Sequence, residues 1–248
     1  MRKLLFIVVI SSLCFTCSKD DSQELLINIS EISLYPEDVM QIEAVSDFDI
    51  TYLSNNTYLA NVLSSGLLTA NKVGKTSIEV SSHDRVIEIP VEIKGRYHLY
   101  PDPITDWSIS RSDLINLVGE PDKSYTNSIE YANYSDQAPS IAYLFTPGDS
   151  LMFALVIVHD TYADDLIAYM NERYVLDSEE DGLFVFRDAF EIEEVSMLTG
   201  VFNGGDGSLM VLYMEYQQEE TKSKHSVATD FKKMRMYIKS LVSENMNR

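Results

Sequence analysis

From Leu26 onward the apolar residues come in short runs broken every few positions by turn formers: Ile27, Ile29, Ile32 and Leu34, then Val39, Ile42 and Ala44, then Ile50 and Tyr52. Alternation with a period of two places successive side chains on opposite faces of a pleated chain. The stretch therefore reads as consecutive strands at the spacing of a β-sandwich. Residues 95–106 interrupt this pattern with Pro101 and Pro103 among Tyr97, Tyr100 and, just beyond, Trp107, which predicts a stiff join between two domains.

Past the join the period changes. Leu114, Ile115, Leu117 and Val118 predict a helix that Ser110 caps, with Asp113 in its first turn, Ile109 able to staple onto Leu114, and Gly119 and Pro121 as stop signals. Strands are expected at 128–133, 140–146 and 151–158, the last buried on both faces because Leu151 to Val158 is apolar throughout. Pro147-Gly148-Asp149 supplies the hairpin turn between the last two. A second helix is expected from Asp160 or Thr161 to about Arg173. Strands then follow near 174–176, 183–187, 191–198 and 208–217, with turns at Asp181-Gly182 and 203–207. A third helix is expected over 226–244, with Val227, Phe231, Met234, Ile238 and Leu241 on one face and Lys232, Lys233, Arg235 and Lys239 making it the one basic element.

The chain begins with Arg2 and Lys3 and an apolar run from Leu4 to Ile10, shorter than the roughly 20 residues of a spanning helix and suited to a secretory signal. Leu13-Cys14-Phe15-Thr16-Cys17 resembles the lipobox of bacterial lipoproteins. The resemblance implies a signal peptide over 1–16, Cys17 as the lipidated first mature residue, and a tether over 17–25. Asp20 and Asp21 resemble a sorting signal that sends lipoproteins to the outer face in some Gram-negative lineages. An ordinary signal cut elsewhere would leave Cys17 incidental.

Within the first domain, Ser54-Asn55-Asn56, Ala60-Asn61-Val62, Ser65-Gly66-Leu67 and Gly74-Lys75-Thr76 occur in the order seen in the bacterial immunoglobulin-like domain, group 2, which this stretch resembles over about 27–93. Tyr52 stands where that family usually has Trp. The resemblance implies a small sandwich that spaces or displays other modules on bacterial surface proteins, without catalysis. Separately, the opening from Ser110 to Pro121 is similar to that of small accessory lipoproteins of outer-membrane assembly. The expected architecture is thus an all-β Ig-like sandwich (26–94), a linker (95–106) and an α+β domain (107–248), an antiparallel sheet with helices on one face.

Composition narrows the function. Thirty-nine Asp and Glu against 19 Lys and Arg give a formal charge of −20, which repels phosphate backbones and excludes nucleic acid as a natural partner. The same field keeps the body off anionic lipid and favours a covalent anchor to the membrane. Both cysteines, Cys14 and Cys17, lie at the signal, so no thiol chemistry or disulfide is expected in the domains. His83, His98, His159 and His225 stand singly, without zinc-ligand spacing, and the acidic runs at 177–181 do not fit a calcium loop. No Gly-x-Ser-x-Gly elbow is present. No catalytic residue, metal or cofactor is therefore expected, and a hydrolase would need an unrecognised carboxylate pair. The aromatics Tyr97, Tyr100, Trp107, Tyr131 and Tyr134 are the candidate ligand-binding residues, suited to stacking on sugar rings or to a protein interface, unless they are half-buried sheet and linker residues. The expected function is a lipid-anchored outer-membrane or cell-surface protein that binds glycan or an envelope protein. The alternative is an accessory lipoprotein of an outer-membrane complex.

Overall fold

A computed structural model describes residues 25–216 and Met236. The expected signal peptide, Cys17, the tether to residue 24 and most of the expected C-terminal helix lie outside the described residues. The described chain is mostly β-sheet, arranged in two successive halves.

The first half contains β1 (Leu26–Ile27), β2 (Ile32–Leu34), β3 (Val39–Gln41), β4 (Ala44–Val45), β5 (Ile50–Ser54), β6 (Ala60–Val62), β7 (Leu67–Ala70), β8 (Gly74–Ser82) and β9 (Arg85–Ile93). One sheet runs β2-β9-β8-β5 and a second β3-β7-β6, with β1 and β4 as a separate short ladder. The pairing of β2 with β9 is parallel, and the other pairs are antiparallel. Alternate residues of both sheets meet in one apolar core that includes Ile42, Leu68, Ile78, Val80 and Ile89, which gives a sandwich-like body. Gly66 turns β6 into β7 with φ +82°, and a Cβ there would lie 2.6 Å from the Ile42 carbonyl oxygen and 2.9 Å from the Tyr52 ring. Tyr52 thus fills the place where its Ser-Gly turn closes on the core.

The second half contains α1 (Arg111–Val118), β10 (Lys123–Ser124), β11 (Ser128–Ala132), β12 (Ser140–Phe145), β13 (Leu151–His159), α2 (Ala163–Arg173), β14 (Val175–Glu180), β15 (Leu183–Arg187), β16 (Met197–Gly205) and β17 (Ser208–Glu215). All its strands pair antiparallel in one sheet of order β10-β11-β12-β13-β17-β16-β15-β14. Ser110 caps α1 by accepting the Asp113 N–H at 3.1 Å, and Gly119 ends it at φ +109°. β13 sits mid-sheet, and its alternate side chains enter two separate cores, Ala154, Val156 and Val158 in one and Phe153 and Leu155 in the other. Both helices bury into the first of these, through Leu114 of α1 and Leu166, Tyr169 and Met170 of α2. Because β13 and β14 are far apart in the sheet, α2 carries the chain from its middle to its edge.

Two expectations are corrected. The strand expected at 191–198 is instead a 3-10 turn at Ile192–Glu194, and β16 starts only at Met197. The Asp188 carboxylate accepts the N–H groups of Ser196 and Met197, both at 3.0 Å, and so fixes where the strand begins. Residues 95–106 are more than a linker, because Leu99 and Tyr100 are buried in the core of the second half.

Candidate functional site: the junction of the two halves

The C-terminal carbonyls of a helix have no partners within it and carry its partial negative charge. At the end of α2 they are met by the first half. Lys72 Nζ donates to the carbonyls of Asn171 (2.7 Å) and Tyr174 (2.9 Å), and the Val73 N–H donates to that of Glu172 (2.9 Å). The Tyr58 hydroxyl donates to the Arg173 carbonyl at 2.7 Å, while its ring rests 5.2 Å from that of Phe190. Burial lowers the proton affinity of Lys72, with the Glu37 carboxylate acting in the opposite direction. Burial likewise raises that of the Tyr58 phenol, helped by Tyr174 and Asp188.

A second set of contacts lies beside the first. The Glu172 carboxylate is buried and accepts the N–H groups of Arg96 (2.8 Å) and Tyr97 (3.2 Å) just after β9. Arg96 extends over the Tyr35 ring, donates to the Pro36 carbonyl at 2.9 Å and pairs with Asp38 at 3.3 Å. The Arg173 guanidinium lies 3.6 Å over the Tyr169 ring and pairs with Asp102 at 3.5 Å. Gly95 runs so close to these groups that a Cβ would sit 3.2 Å from the Arg173 guanidinium and from Glu172 Oε2. A groove of about 380 Å³ opens here, lined by Tyr35, Lys75, Lys94, His98, Asp102 and Arg173 among others. Lys75 and Lys94 share the Glu92 carboxylate at 3.3 and 3.7 Å, and Arg173 pairs with Asp102 at 3.5 Å. The junction can join two bodies firmly.

The aromatic residues singled out in the sequence take separate places. Tyr97 is exposed beside Glu172. Tyr100 is corrected to a core residue: it is buried and shares a 2.9 Å hydroxyl contact with Tyr213. Trp107, Tyr131 and Tyr134 are partly buried against the same core. The Tyr131 hydroxyl donates to the Gly119 carbonyl (2.8 Å) and that of Tyr134 to the Pro101 carbonyl (2.6 Å). The Tyr169 ring lies tilted 4.8 Å from that of Tyr100, and its hydroxyl donates to Asp102 at 3.3 Å. Burial holds the phenols of Tyr100, Tyr169, Tyr174 and Tyr213 well above their ordinary proton affinity, so they stay neutral. They tie the segment around 100 to the sheet and to α2. Among the described residues no three His, Cys, Asp or Glu side chains come together as metal ligands, and no helix is long and apolar enough to cross a membrane. His225 lies outside the described residues.

Sequence reasoning missed Tyr58, Lys72, Gly95, Glu172 and Arg173. Arg173 in the last turn of a helix is the one local hint, since a cation there suits the helix end. Nothing local marks Lys72 or Tyr58.

No protein-family model matches the chain, and no curated protein does. Among solved structures, domains 4 and 5 of the S-layer protein SbsC match at 15% identity and a TM-score of 0.27, over 29% of this chain and 51% of that one. A mutant of intimin from EHEC O157:H7 matches at 19% identity and a TM-score of 0.25, over 42% and 62%. Domains 5–6 of SbsC match at 10% identity and a TM-score of 0.26, over 81% and 86%. This chain spans less than two thirds of the first two, and superpositions this loose carry no argument.

Proposed function

We propose that the chain is a lipid-anchored protein of the outer membrane or cell surface, in which an Ig-like spacer presents an α+β domain that binds glycan or protein and does no chemistry of its own. The observation that carries this reading is the junction. Lys72, Val73 and Tyr58 close the end of α2, and Glu172 holds the backbone that follows β9, so the second half keeps a set orientation on the first. A spacer is useful only if it holds what it carries. From Cys17 to Leu25 the chain could span at most roughly 28 Å at about 3.5 Å per residue, which sets the upper limit on how far the joined halves would stand off the bilayer.

The test has two parts. Cells making the wild-type chain and a Cys17→Ser variant are grown with a fatty-acid probe. Label on the wild type alone supports the anchor, and equal labelling overturns it. The full-length chain, released from membranes, is then applied to a glycan array and used in an envelope pull-down.

The accessory-lipoprotein reading draws support from a separate observation. The hydroxyls of Tyr100, Tyr131 and Tyr134 are engaged by the chain itself, which leaves fewer aromatic tips for sugar recognition than a carbohydrate groove would need. Retention of an envelope protein complex in the pull-down with a silent array favours this reading over the glycan one.

A further inference from the structure

Two grooves adjoin where the first half meets the second. One, of about 280 Å³, is lined by Glu31 and Ser33 at β2 and by Pro90 of β9. The other is the junction groove of about 380 Å³, which reaches Tyr35, His98, Asp102 and Arg173. Lys75, Glu92 and Lys94 line both, so the two form one trough that begins on the sandwich and ends at the last residue of α2. Gly95 presents bare backbone along it, and a Cβ there would crowd the Arg173 guanidinium at 3.2 Å.

The charges along this trough balance, although the protein as a whole has a formal charge of −20. Lys75, Lys94 and Arg173 stand against Glu31, Glu92 and Asp102. Their ion pairs are long, at 3.3, 3.7 and 3.5 Å, and solvent reaches at least one partner of each, so little is lost when a ligand takes them over. A sugar hydroxyl donates and accepts at once, and it can therefore sit between an ammonium and a carboxylate. An anionic chain would instead meet the field of the acidic body. Tyr35 adds an apolar face: it is 45% exposed, Arg96 braces its ring at 5.0 Å, and its N–H donates to Asp38 at 2.9 Å. We infer that the trough binds a neutral oligosaccharide lying across the junction, with one sugar ring on Tyr35 and hydroxyls among Lys94, Glu92 and Asp102. This site rests on the glycan-binding reading above, and it places the ligand where both halves meet rather than on the aromatic residues near 100.

Calorimetric titration of the full-length Cys17→Ser chain tests this independently of lipidation, with neutral hexasaccharides of glucose, mannose, galactose and xylose as probes and hexagalacturonate as the acidic control. At least one neutral probe is expected to bind about 10-fold more tightly than hexagalacturonate. Tyr35→Ala and Lys94→Met are each expected to weaken that probe about 10-fold, whereas Tyr35→Phe, which keeps the ring, stays within about threefold of the parent. Tyr125→Ala, at an exposed tyrosine outside the trough, leaves the affinity unchanged. Binding that survives both Tyr35→Ala and Lys94→Met overturns the site while the glycan reading stands. Hexagalacturonate bound as tightly as every neutral probe, or more tightly, overturns the ligand class. Binding of no neutral probe overturns the inference outright, and with a silent array the glycan reading falls with it.

Discussion

Lys72 donates from one ammonium to the carbonyls of Asn171 and Tyr174, 99 and 102 residues along the chain, and so caps from one half of the protein a helix that belongs to the other. A helix end normally finds this partner in its own flanking residues or in water. Here it is the seam between two cores.

Lys72→Met keeps the aliphatic stem and removes the donors. It is expected to cost about 1–3 kcal/mol, since two partly enclosed carbonyls lose a charged partner. Calorimetry should show a lowered melting transition, and small-angle scattering a broader distribution of end-to-end distances.

Glu172 should separate charge from acceptor capacity. Glu172→Ala strands the N–H groups of Arg96 and Tyr97 and is expected to cost about 1–3 kcal/mol, while Glu172→Gln keeps one acceptor oxygen and costs less. Urea titration of both variants checks the order.

Alkaline pH should unfold the protein steeply. Tyr100, Tyr169, Tyr174 and Tyr213 have proton affinities raised in the folded state, chiefly by burial. Groups raised on folding contribute stability that is complete below the unfolded value, near 10 for tyrosine, and is lost above it as the unfolded chain releases protons. Each contributes a loss of about 1.4 kcal/mol per pH unit once the unfolded phenol ionises. Lys72, lowered by burial, works weakly the other way. Denaturant midpoints measured across pH 8 to 11 should stay level with respect to these phenols until about 10 and then fall.

The Tyr100 and Tyr213 hydroxyls share a 2.9 Å contact, Tyr100 also reaches Met170 Sδ at 3.9 Å and Tyr213 also bonds Tyr174, so Tyr100→Phe and Tyr213→Phe should each cost about 0.5–1.5 kcal/mol, the worth of one lost hydrogen bond. The double variant should cost less than the sum, since it removes both polar groups. A double-mutant cycle by chemical denaturation reads the difference.

Gly66→Ala should destabilise the first half by about 1–3 kcal/mol, because φ is +82° and the new Cβ meets backbone oxygen at 2.6 Å. Exchange protection in β6 and β7 should fall before that in β13 and β17.

Several elements could be read in advance because their causes lie within a few residues. Ser110 and Asp113 announce α1, Pro147 to Asp149 the turn into β13, and the unbroken apolar run of β13 its burial on both faces. The stretch at 191–198 misled because its apolar residues suggest a strand. The Asp188 carboxylate, bonded to Ser196 and Met197, delays the strand to Met197, and that bond depends on how the loop folds back. The aromatic residues near 100 were recognised as a group, but their hydroxyl partners at Tyr213, Gly119 and Pro101 depend on how distant segments pack.

Local pattern alone determined where most of this chain turns and which residues alternate into a core. Only the tertiary structure decided that a lysine at 72 and a tyrosine at 58 would clasp a helix ending at 173, and that four tyrosines would close on one another in the core that the second half shares with its helices. The reason is that alternation and turn propensity act between neighbours in sequence. A helix end or a buried hydroxyl is satisfied by whichever group packing brings within about 3 Å, however far along the chain it began.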